Sequence, residues 1–185
     1  MSTDSFKVQV LDSALADQIK NKLDEISKSE ETPKQLHLEL FNTTGPIRLG
    51  VEIVRMAHEL KIELLTHAVG KLSSCGTVLL AGGKLGKRSA ALQSTFVLND
   101  AESEKIGRYK KVNNPNIGIM EYMLQRDTDK RRRVKQTLSS MNVLSAFEAK
   151  SLGLIDELDG FESMYQAEFD AMKKKTAKVE SEVSA

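Results

Sequence analysis

The chain has 185 residues, with 27 basic and 26 acidic side chains and a formal net charge of +1. That length makes one domain with a proper core the expectation, and so even a charge balance gives no general electrostatic claim on nucleic acid or a membrane surface. A single cysteine excludes an internal disulfide framework and fits a reducing compartment.

The first residues, MSTDSFKVQV, lack the basic start and long apolar run of an export signal. No apolar stretch approaches the ~20 residues of a spanning helix. The expected location is therefore cytoplasmic, with no membrane partner. Residues 6–11, FKVQVL, alternate as a short strand does. Asp12 then stands as a helix cap, and Leu15, Ile19, Leu23 and Ile26 follow at helical spacing. SKSEETPK reads as a polar loop. QLHLELF (35–41) alternates strictly and predicts a strand, which NTTGP is expected to break.

GVEIVRMAHEL (50–60) predicts an amphipathic helix, and IELLTHAVG (62–70) a strand. SSCGTVLLAGG (73–83) reads as a buried helix start rich in small residues. STFVL (94–98) predicts another strand. The first hundred residues thus run β-α-β-α-β-α-β, which implies a largely parallel sheet with crossover helices. Residues 117–138 carry a long, charged helical pattern. Ser145 and Glu148 form a capping box, and Gly153 stops that helix. The expected organisation is one domain over 1–170 and a flexible charged tail over 171–185.

Three segments resemble a known family. GKLSSCGTVLLAGGKLGKR (70–88) resembles the nucleophile segment of the Clp protease proteolytic subunit, ClpP. LSAFEAKSLGLIDEL (144–158) resembles its Leu-Ser-Ala-x-Glu-Ala segment, and LHLELFNTTGPIRLGVEIVRM (36–56) its strand, oxyanion turn and helix. The order and spacing of the first two also agree, and the likeness runs from about residue 7 to residue 160. The resemblance implies an α/β fold of the ClpP/crotonase type, built of repeated βαβ units with a C-terminal helical handle region.

A serine peptidase needs a nucleophile, a base, a carboxylate that orients the base, and N–H donors for the oxyanion. By the resemblance Ser74 takes the nucleophile position. The histidine position, 25 residues on, is Asn99, whose amide is no base near neutral pH. The aspartate position, three residues before Leu144, is Met141. The oxyanion positions fall on Gly45, Pro46 and Cys75. Pro46 has no N–H to give, and a slip of the alignment brings in Ile47. His37, His58 and His67 all lie away from the base position in the sequence.

These substitutions predict a ClpP-like subunit that has lost peptidase activity and serves as a structural or regulatory, ClpR-like partner. The alternative is an active ATP-dependent-type serine endopeptidase with unusual partners for Ser74, such as Lys71, Lys84 or Lys87. A crotonase-like acyl-CoA binder ranks last, because its glycine-rich oxyanion loop is not evident.

The family implies a homo-oligomeric ring, with a heptamer and a double ring both open. It also implies an active ClpP or a Clp ATPase as partner. The region between Asn99 and Met141, which includes the handle segment 113–127, is shorter than in the family, which bears against ring stacking. Only Met1 to Ser5 precede the first strand, where the family builds axial pore loops, and this bears against docking of an ATPase. Lys130, Arg131, Arg132, Arg133 and Lys135 sit near Asp127 and Asp129 and read as a solvated helix face, not a nucleic-acid patch. Cys75 has no base to activate its thiol. AGGKLGK (81–87) lacks the phosphate-loop arrangement. No Cys/His cluster suggests a metal, and no cofactor is expected.

Overall fold

The computed structural model describes residues 5–30, 32–98 and 143–159. Asn99, Met141, the handle segment, the basic run and the expected boundary at 170 lie outside these residues.

Within them the order is β1 (Ser5–Val10), α1 (Ser13–Lys28), β2 (Gln35–Thr44), α2 (Ile47–Glu59), β3 (Glu63–Val69), β4 (Lys71–Leu72), α3 (Ser74–Ala81), β5 (Arg88–Ala91) and β6 (Thr95–Val97). The C-terminal part adds β7 (Val143–Ser145), α4 (Ala146–Ser151) and β8 (Glu157–Asp159). A five-stranded sheet has the order β1-β2-β3-β5-β8, and every pairing in it is parallel. A second sheet, β4-β6-β7, joins β4 to β6 in parallel and β6 to β7 antiparallel.

The expected parallel sheet with crossover helices is present. Its strand order steps across the sheet in one direction, so successive right-handed crossovers put their helices on one face. Burial agrees: Leu36, Leu38 and Leu40 of β2 and Leu64, Thr66 and Ala68 of β3 are buried, while their odd-numbered neighbours are half-buried or exposed. α1 presents Ala16, Ile19, Leu23 and Ile26 to the core, and α2 presents Leu49, Gly50, Ile53 and Ala57. α3 is buried on all sides, because it lies between the two sheets. The Thr66 hydroxyl of β3 donates to the Leu80 carbonyl at 3.1 Å, and the Thr77 hydroxyl donates to Val97 O of β6 at 3.1 Å.

Several sequence expectations change in detail. NTTGP does not end β2 at Phe41; the strand continues to Thr44. Val8 lies opposite Leu40 and Val10 opposite Thr44, so β2 uses four residues where β1 uses two. That bulge holds Asn42 at φ +47, a left-handed conformation that asparagine tolerates better than most residues. α2 starts at Ile47 rather than residue 50, because Pro46 caps it with φ −65. Residues 94–98 contribute a strand, but to the second sheet. β4, β5, β7 and β8 have two to four residues each and show no periodicity in the sequence.

The capping box at Ser145 is present in full: Ser145 N–H donates to a Glu148 carboxylate oxygen at 2.7 Å, and Glu148 N–H donates to the Ser145 hydroxyl at 3.3 Å. These bonds from the Ser145 backbone and hydroxyl hold the Glu148 carboxyl below its ordinary range.

Candidate functional site

Ser74 is the first residue of α3, with Ser73 as its cap, and it is buried. Three residues, Asn42, Thr43 and Thr77, put it there. The bulged Asn42 accepts the Lys71 N–H on Oδ1 at 2.9 Å, which fixes the turn at Gly70. A side chain at Gly70 would run into that same Asn42 amide. One residue later on β2, Thr43 O accepts the Ser73 N–H at 2.8 Å. Thr43 is itself fully buried and donates its hydroxyl to Val8 O at 2.6 Å. Thr77 closes the first turn of α3, sharing its hydroxyl between Ser73 O at 2.9 Å and Val97 O at 3.1 Å. β6 thus has its backbone fastened to α3 two residues before position 99.

α2 and α3 start side by side. A Cβ on Gly50, in the first turns of α2, would stand 3.0 Å from Cys75 O and 3.2 Å from its Sγ. At the far end of α3 a Cβ on Gly82 would collide with Val54. The two helices therefore run in the same sense with their N-terminal ends together, next to the end of β2. A Cβ on Gly76 would lie 2.9 Å from the Thr43 Cβ, so only glycine lets α3 come this close to β2. Helix N-termini direct N–H groups outward and carry partial positive charge, and two of them together suit an oxyanion.

The expected oxyanion residues are all in this region. Gly45 has φ +143, and its absent Cβ would stand 2.4 Å from Leu11 O. Pro46 is the cap of α2 and contributes no N–H and no side-chain cap bond. Ile47, its successor, opens the helix with the first available N–H. Cys75 is the second residue of α3 and fully buried. The residues that position the serine, Asn42, Thr43 and Thr77, were not singled out from sequence. The signal for Asn42 was there, in a turn-forming residue ahead of Gly45.

None of the three histidines lies on this side of the molecule. His37 and His67 are odd-numbered residues of β2 and β3 and point to the sheet face away from the helices. His58 is in the last turn of α2, exposed, roughly 16 Å along the axis from the start of that helix. Of the lysines, Lys84 and Lys87 lie in the exposed turn after α3, at its far end from Ser74. Lys84 is paired with Glu63; that pairing and a bond from Gln35 hold the Glu63 carboxyl below its ordinary range. Lys71, on β4, is exposed.

Comparison with known proteins bears on most of the chain. The family model described as Clp protease matches residues 5–160. The ATP-dependent Clp protease proteolytic subunit of Oltmannsiellopsis viridis is 28% identical over 160 residues, covering 83% of this chain and 82% of that protein. The subunit of the same name from Chlorella vulgaris is 29% identical over 160 residues, covering 83% and 79%. The ATP-dependent Clp protease proteolytic subunit 3 of Synechococcus sp. (strain CC9605) is 28% identical over 148 residues, covering 70% and 69%. Among solved structures, the ClpP protease catalytic domain from Plasmodium falciparum superposes with a TM-score of 0.60 at 19% identity, covering 83% of both chains. A second Plasmodium falciparum structure, described as a peptidase, gives 0.64 at 21% identity, covering 83% of this chain and 94% of that one. At such identities the structural likeness speaks to the fold.

Proposed function

The chain belongs to the Clp protease family, and from that premise we propose that it is a ClpP-like subunit without serine peptidase activity, acting in a ring as a structural or regulatory component. The observation that carries this reading is that every histidine of the protein lies away from Ser74. The protein has three histidines, and all three lie at the opposite sheet face or the distant end of α2. The family's histidine position holds Asn99, and its aspartate position holds Met141. Removing one member of a Ser-His-Asp triad lowers the rate by ~10⁴-fold or more.

The oxyanion frame supports the same reading from another side. Gly45 and the two adjoining helix ends are kept, while Pro46 offers no N–H at a position that would donate. The pattern is a preserved frame without its acid-base chemistry. A ring partner, either further copies of this chain or an active ClpP, follows from the family rather than from any contact in the monomer.

The test is peptidase activity on a small fluorogenic peptide, wild type against Ser74→Ala, with particle mass measured on the same sample. The expected result is background cleavage by both proteins and a particle several times the chain's mass. Cleavage by the wild type that disappears in Ser74→Ala would overturn the reading and point to Lys71, Lys84 and Lys87 as the lysines to test. A monomer at micromolar concentration, with no association with an added active ClpP, would sink the ring role.

A further inference from the structure

We draw no further inference here: the strongest candidate, the adjoining N-terminal ends of α2 and α3 beside the Ser73 hydroxyl, whose oxygen is buried and meets no hydrogen-bond partner among the described residues, belongs to the site already described.

Discussion

Individual residues show which parts of the site are structural necessities. Gly45 combines φ +143 with a phantom Cβ 2.4 Å from a backbone oxygen that cannot move aside. Gly45→Ala should therefore cost at least about 2 kcal/mol of stability, seen as a lowered urea midpoint with an unchanged slope. Full wild-type stability in that variant would mean the turn relaxes without strain. Ser74, Gly45, Pro46 and Cys75 could be picked out in the sequence only through the resemblance of their segments to the Clp protease family. Asn42, Thr43 and Thr77 could not. Their roles depend on which carbonyl or N–H lies across a strand pairing, and a threonine in a strand gives no hint of its partner.

At the scale of single elements, long periodic segments were readable and short ones were not. α1 declared itself through Asp12 and four apolar residues in register; in the structure the Asp12 carboxylate accepts the Leu15 N–H at 2.8 Å. β2 and β3 alternated cleanly, yet the end of β2 was misplaced, because a bulge carries the pairing past residues that normally stop a strand. β5, RSAA, contains nothing that favours a strand; it is one because the gap between β3 and β8 leaves it no other pairing. α4 is only six residues long, too short to be stable alone, and its N-terminal bonds matter in proportion. Ser145→Ala should cost about 1 kcal/mol, measured by chemical denaturation. Because β7 ends at the same serine, the loss should also appear as faster amide exchange in α4 and β7 together. Exchange rates that do not change would separate the box from the stability of this segment.

On the scale of the molecule, residues 143–159 join the body through both sheets, β7 on β6 and β8 on β5, and through an ion pair whose arginine is buried and whose aspartate is half-buried. Arg88, 5% exposed, meets Asp156 at 2.6 and 2.8 Å, and Asp156 also accepts the N–H groups of Gly86 and Arg88. Asp156→Asn leaves that guanidinium buried without its charge partner and should cost about 3 kcal/mol. The pH dependence has a definite sign. The folded carboxyl lies below its ordinary value, so its stabilisation is complete above the unfolded carboxylate range and disappears as pH falls through the folded one. Acid unfolding below about pH 4 should therefore be shallower in Asp156→Asn than in the wild type; identical acid limbs would contradict the assignment. The parallel order of the larger sheet was readable from alternating strand and helix patterns, whereas the second sheet was not, since its strands come from distant parts of the chain. Finally, the seat of Ser74 is built from backbone carbonyls, one asparagine amide, two threonine hydroxyls and the space left by glycines. Among the described residues, none of these contacts draws on a histidine. The pedestal under Ser74 is thus a matter of backbone geometry and close packing, set by the fold whatever group stands beside the serine as its base.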